Sequence, residues 1–567
     1  MNPVDTIAQS PSPAADKGKT GLAALSLPDE KTLLYACAAL VVFFNIHLAL
    51  TRTINWDEFH FFRQIVEFNR GEPLPVFQTL HVELFFWLPD AVSSGVDGIV
   101  VGRVFMLLCE FVTAGAIALI AERFADRRFA IVAALLWLAS GFTLHHGWSF
   151  RTDPMATAFA MASLAVLTRA PLTFAWALVS GALVGIAGFV TIKAILYLPA
   201  FAGIALLRWS EVRYAWPSAL RIAAVPAVAV AALGALVFWH AGNLPQTDAS
   251  SANGFVGATS NSMLFAGWPI YLHFVPRWAI LSLPAFAILV ITFFAIKGRP
   301  LIETLALAGL LAPLAALVIY RNSLPYFYPT MLAPVMAASA IGVAAFAERY
   351  GLQRLLFYTI ISAAIVWGFD KASRMDEQRD IQTAADTIFE EPVGYLDFPG
   401  MLPDHRKANT FLSRWGIESY YQRGAGEYRT ILENEVVPLL LTAEPEMNPT
   451  LLAIMTRLPQ EQRFHKEDRE TLRATYRQFW GPYWIAGAEV AAGESLSYEV
   501  LVPGDYTVTG AGLYVNGEAL EPGSVRNFDR GFVELRNAGQ NDAGIIWGDN
   551  PKTPDMPVPE RPYWRGF

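Results

Sequence analysis

Asp57 and Glu58 stand next to each other just past the first long apolar run, in Thr53-Ile54-Asn55-Trp56-Asp57-Glu58-Phe59-His60. An acidic pair at a membrane surface supplies a catalytic base, because desolvation raises the basicity of a carboxylate within reach of a hydroxyl. Arg151, Lys193, Arg277 and Arg321 form a second group, each the lone cation of its connecting segment. A cation at a helix centre in lipid costs on the order of 3 kcal/mol, less near the interface, and is usually placed there for a partner. Converging from four helix ends they suit a lipid phosphate, Arg by paired donors and Lys as a point charge; acting singly they snorkel to headgroups. In Arg151-Thr152-Asp153-Pro154, Pro154 suits the first turn of a helix, and Asp153 is either its cap or a second carboxylate facing Asp57. His47, His60, His81, His145, His146, His240 and His273 all fall in the outer half of the apolar region. With the nearby carboxylates they could relay protons or bind a divalent ion, the candidate ligands being Asp57, Glu58, His60 and His81. No ligand spacing points to a particular metal.

The elements that must position these residues are membrane helices. Of the 567 residues, 54% are hydrophobic and 16% charged, and mean hydropathy is +0.35. Apolar runs long enough for a bilayer recur about eleven times, near 32–51, 99–120, 129–147, 155–168, 172–191, 194–208, 218–240, 278–296, 301–320, 326–347 and 353–369. This pattern predicts a polytopic α-helical membrane protein. Residues 1–30 read as a disordered cytoplasmic tail without a cleavable signal. Cys37 and Cys109 are the only cysteines and build no disulfide framework. The net charge of −8 lies mostly after residue 370, and no nucleic-acid partner is expected.

With a cytoplasmic N-terminus, the inside loops hold Arg123, Arg127, Arg128, Arg169, Arg208, Arg213, Arg221, Lys297, Arg299, Arg349 and Arg354. That asymmetry follows the positive-inside rule. An odd number of spans then puts residues 371–567 outside, in the periplasm of a bacterium. Residues 31–370 form the membrane domain, interrupted by outside loops at about 52–98 and 241–277. In the first loop, Phe59, Phe62 and Val66, and again Phe77, Leu80, Leu84 and Trp87, recur at helical spacing, as in short helices on the membrane surface. Residues 371–490 read as mixed α/β, with strands at 393–396 and 436–442 and helices near 450–477. Alternation from Leu496 to Val508 and the turn Asn516-Gly517 predict a β unit over 495–550. Trp480, Tyr483 and Trp484 suit core packing better than sugar stacking.

Four segments in register with this topology carry a resemblance: Asp57-Glu58; Arg151-Thr152-Asp153-Pro154; Gly188-Phe189-Val190-Thr191-Ile192-Lys193 with Leu196-Tyr197-Leu198-Pro199; and Arg321-Asn322-Ser323-Leu324-Pro325-Tyr326-Phe327-Tyr328-Pro329. Over about 31–350 the chain resembles the GT-C superfamily of integral membrane glycosyltransferases, in the branch of protein O-mannosyltransferases and the lipid A aminoarabinose transferase. The resemblance implies a polyprenyl-phosphate sugar donor and transfer at the outer face with inversion. The implied acceptor is a lipopolysaccharide, another glycolipid or a cell-surface polysaccharide. It makes Asp57 the base, Glu58 its support and Asp153 an orienting or assisting acid. Lys193 and Arg321, with Arg151, become donor-phosphate clamps. Tyr326 and Tyr328 stand where the family often has His-Tyr. The implied location is a bacterial inner membrane. Two other readings fit the composition: a flippase or transporter of lipid-linked sugar, and a non-catalytic envelope assembly protein. Mid-span segments rich in Ala, Leu and Val, with charges on one face, favour surface chemistry over passage.

Overall fold

The computed structural model describes residues 27–559 apart from 246–267, 270, 371, 411, 413, 444–446 and 453–463. Most of the expected tail lies outside the described residues. Asp29 already caps a helix, its carboxylate accepting from the Lys31 and Thr32 amides at the start of α1, Glu30–Thr51. There follow α2 (Trp56–Asn69), α3 (His81–Phe85), α4 (Gly95–Ala121), α5 (Arg127–Leu138), α6 (Gly141–His146), α7 (Thr152–Arg169), α8 (Phe174–Val190), α9 (Leu198–Glu211) and α10 (Trp216–Asn243). The second half adds α11 (Phe274–Leu281), α12 (Leu283–Ala295), α13 (Leu301–Leu311), α14 (Tyr328–Tyr350) and α15 (Leu352–Asp370).

Among the described residues seven helices are long and apolar enough to cross a bilayer, and α11 with α12, bent by 104°, makes an eighth. The eleven apolar runs are therefore not eleven equal helices. The run at 129–147 is cut into α5 and α6. With 12 residues, α5 reaches about 18 Å, short of a hydrocarbon core of about 30 Å. It is buried almost throughout from Phe129 to Leu138, and hydropathy alone does not separate a core helix from a lipid-facing one. At the centre of the bundle, α14 is buried without a break from Tyr328 to Val343. Its small residues allow that: a Cβ on Gly342 would lie 2.3 Å from Thr292 Oγ1 of α12.

Beyond α15 the chain forms α16 (Met375–Ile388) and then β1 (Gly394–Leu396), β2 (Arg406–Lys407), β3 (Leu439–Leu441), β4 (Tyr476–Trp480), β5 (Tyr483–Val490), β6 (Ser495–Val500), β7 (Gly504–Thr509), β8 (Leu513–Val515), β9 (Glu518–Leu520), β10 (Val525–Phe528), β11 (Gly531–Asn537) and β12 (Ala543–Trp547). One mixed sheet runs β10-β7-β12-β5-β3-β1-β2 with β4 also paired to β5, and a second runs β6-β11-β8-β9. Asn516 and Gly517, at φ 50° and 87°, make the tight hairpin turn between β8 and β9. Trp480, Tyr483 and Trp484 are buried in this domain, and Tyr483 donates its hydroxyl to the Ile381 carbonyl of α16. The expected helix near 450–477 is seen as Pro449–Leu452 and Lys466–Thr475, its middle lying outside the described residues.

This domain sits on the first loop. Phe59, Phe62, Ile65 and Val66 of α2 share one core with Met375, Ile381, Tyr395, Met401 and Leu402. The apolar face expected to lie in lipid is thus covered by protein, each buried side chain contributing about 1.5–3 kcal/mol. Gln378 Nε2 donates to the Ile54 carbonyl at 2.8 Å and its Oε1 accepts from the Ile54 amide at 3.0 Å. Arg70 donates to the Pro403 and Asp404 carbonyls at 2.9 and 2.7 Å. The second expected surface helix shrinks to α3, because Gln78 at φ 67° interrupts it; Leu84 and Trp87 remain exposed.

Candidate active site

Asn55 starts α2. Its side chain accepts from the Asp57 and Glu58 amides at 3.0 and 3.2 Å, and the Glu58 carboxylate accepts in return from the Asn55 amide at 3.2 Å. This capping box holds both acids in the first turn, where the helix dipole favours negative charge. Adjacent helical residues point about 100° apart, so the two carboxylates separate. Glu58 turns inward and is fully buried. Its two oxygens take Arg103 Nε at 2.7 Å and Nη2 at 2.6 Å, and Oε1 also takes the Phe150 amide at 2.8 Å. Arg103, from α4, donates further to the Ala49, Arg52 and Thr53 carbonyls at the end of α1. Glu58 is therefore part of a bidentate clamp tying α1, α2, α4 and the segment before α7.

Asp57 faces the other way and pairs with Arg151. Arg151 precedes the first turn of α7 and lies 3.4 Å from Asp153. The N-cap of α7 is Arg151 and Asp153 is the second residue inside the helix; its Oδ1 accepts from Lys193 Nζ at 2.5 Å. Lys193 comes from the 3-10 turn Ile192–Tyr197 that joins α8 to α9, beginning where Thr191 ends α8. Tyr326, in the 3-10 turn Pro325–Phe327 before α14, lays its ring 3.7 Å from Arg151 Cζ and 5.1 Å from Lys193 Nζ. Asp57, Arg151, Asp153, Lys193 and Tyr326 thus meet at one place from four separate segments. Their side chains are mostly withdrawn from water, at 13% for Asp57, 12% for Lys193 and 6% or less for Arg151 and Asp153.

Tyr328 and Arg277 lie elsewhere. Tyr328 packs against Phe142 at 4.9 Å and Trp278 at 6.1 Å, inside the aromatic core. Arg277 lies over the Phe142 ring at 5.8 Å. Arg321 is half-buried in the turn that leads to Tyr326. The proposed metal set Asp57, Glu58, His60 and His81 does not assemble: Glu58 is on Arg103, and His81 Nε2 is 3.0 Å from the Phe61 carbonyl. Among the described residues no three His, Cys, Asp or Glu side chains are grouped to hold a metal ion. The histidines serve separate contacts, His145 near Asp370 at 3.4 Å and His240 with Glu83 at 2.8 Å.

In its arrangement the chain matches a crystal structure of ArnT from Cupriavidus metallidurans bound to undecaprenyl phosphate, with a TM-score of 0.51 and 16% identity over 76% of this chain and 95% of that one. This is the GT-C fold. The apo form of the same ArnT gives a TM-score of 0.48 at 16% identity, over 76% and 94% of the two chains. The apo oligosaccharyltransferase of Archaeoglobus fulgidus gives 0.44 at 13% identity, over 78% and 73%. No known family profile matches the sequence, and no curated protein matches it.

Within this GT-C fold two charged residues escaped the reading of the sequence, Arg103 and Glu110. Both interrupt the apolar run near 99–120, and seven residues apart they lie on one helix face. An ionisable residue inside a membrane span is itself the signal.

Proposed function

We propose that this chain is an integral membrane glycosyltransferase that moves a sugar from a polyprenyl-phosphate donor to an acceptor hydroxyl. The acceptor is a lipopolysaccharide, another glycolipid or a cell-surface polysaccharide. The enzyme sits in a bacterial inner membrane with its N-terminus cytoplasmic and its C-terminal domain periplasmic. The observation that carries the reading is the meeting of Asp57, Arg151, Asp153 and Lys193, a base beside a pair of cations where the starts of α2 and α7 meet the α8–α9 junction. A structure of the same fold carrying undecaprenyl phosphate supports the choice of donor.

In this reading the acceptor oxygen attacks the anomeric carbon from the face opposite the phosphate. The sugar–phosphate C–O bond breaks, Asp57 takes the hydroxyl proton, and the leaving phosphate gathers charge against Lys193 and Arg151. Arg321 supplies a further phosphate contact, and Tyr326 holds Arg151 in plane. The cations are already neutralised by Asp57 and Asp153, so an arriving phosphate competes with both carboxylates. As Arg151 turns to the phosphate, Asp57 loses its cation and becomes the stronger base. Glu58 supports Asp57 through the clamp that fixes the start of α2.

Mass spectrometry of lipids and polysaccharides from a deletion strain, with and without the wild-type gene, tests this. One glycan mass should vanish and return, naming sugar and acceptor together. An unchanged glycan profile with an accumulated or misplaced lipid-linked sugar would instead mark a transporter.

A further inference from the structure

Glu110 sits in the middle of α4, about 10 Å along the helix from Arg103. It is 1% exposed, and neither carboxyl oxygen has a hydrogen-bond partner among the described residues. The chain makes room for it: a Cβ on Gly147 would lie 2.2 Å from Glu110 Oε1. The carboxyl borders a cavity of about 10 Å³ whose wall also includes Thr113, His146, Arg151, Asp153 and Tyr326. That is the room of one water with polar partners on several sides. A bare carboxylate so placed would cost several kcal/mol, whereas a carboxylic acid carries a donor of its own.

Asp153 shares this wall, and its two oxygens are held by Lys193 and Arg151. A lipid phosphate that draws those cations away leaves Asp153 in need of donors. We infer that Glu110 is a positioning residue that works as an uncharged acid, donating through a water in the cavity to Asp153 when a polyprenyl phosphate occupies Arg151 and Lys193. The inference rests on the proposed phosphate site and adds to it a reserve of hydrogen bonding reached from inside the membrane. No bond is made or broken in this step; the proton stays on Glu110 while its hydrogen-bond acceptor becomes better anchored to Asp153.

The test uses the full-length protein in detergent with undecaprenyl phosphate as the probe. Affinity is measured for wild type, E110Q, E110L and K193A, and infrared difference spectra follow the C=O stretch of protonated carboxylic acids as the lipid is added. E110Q retains a neutral donor and binds within about twofold of wild type, whereas E110L binds about three- to tenfold more weakly. E110L also melts no lower than wild type, since an apolar group replaces a polar one that lacks a partner. A carboxylic acid band shifts on lipid addition in wild type and is missing from E110Q. Equal affinity of E110L and wild type, or a band unmoved by the lipid, overturns the inference. If E110L does not fold, the band alone decides. Unchanged affinity in K193A is a different failure, because it removes the phosphate site itself.

Discussion

Asp57 and Glu58, neighbours in sequence, have opposite surroundings: one pairs with Arg151 in the polar cluster, the other is enclosed by Arg103 and the Phe150 amide. The identity of Asp57, Asp153, Arg151 and Lys193 was legible in the sequence because charged residues at apolar boundaries are few. Their partition was not, because it depends on the helical phase of α2 and on an Arg buried in α4. Lys193→Ala should weaken undecaprenyl phosphate binding by roughly tenfold or more, the loss of a charge-assisted contact of about 1.5–3 kcal/mol, as an equilibrium binding assay will show. Tyr326 and Tyr328 separate in the same way. Tyr328 is buried with no hydrogen-bond partner on its hydroxyl among the described residues, so Tyr328→Phe should leave the melting temperature level or higher and binding unchanged. Tyr326→Ala removes the ring stacked on Arg151 and should weaken lipid binding by a few-fold.

At the scale of elements, the start of α2 is fixed from below and above. Below it, the buried Glu58–Arg103 pair joins α2 to α4 and the end of α1. Breaking one partner of such a pair costs about 3–5 kcal/mol, because the other charge is left without compensation. Glu58→Gln should therefore lower the thermal stability of the detergent-solubilised protein sharply, where exposed Arg128→Gln barely moves it. Above it, α2 is held by Gln378 and by Arg70 on the 403–404 carbonyls. Periodicity revealed α2 itself but not what covers it, since an apolar stripe looks the same against lipid and against a folded domain. The run at 129–147 shows the same limit, its helix α5 proving to be packed inside protein.

Over the whole molecule, the fold class was readable from apolar runs and from the change of composition near residue 370, and the GT-C arrangement agrees with it. The contact between the C-terminal domain and the start of α2 was not, because it joins residues more than 300 apart. The C-terminal domain has a pH signature of its own. Burial pushes the His405 imidazole down to about 4, and its Nδ1 accepts from the Val393 amide at 3.1 Å. The unfolded chain takes up the proton near pH 6.5, so the stability contributed by neutral His405 is complete above that pH. It is lost as pH falls from about 6.5 to about 4, by up to about 3 kcal/mol. Melting curves across that window should show the loss in wild type and a reduced slope in His405→Gln.

In the proposed mechanism Asp57 accepts the proton of the acceptor hydroxyl. The direct measurement is the amount of the transferred glycan, by mass spectrometry, in a deletion strain carrying wild type or Asp57→Asn at equal expression. Loss of a general base typically costs 10²–10⁴-fold in rate, so no detectable glycan is expected with Asp57→Asn, while the purified variant still binds undecaprenyl phosphate. Full restoration of the glycan by Asp57→Asn would contradict it.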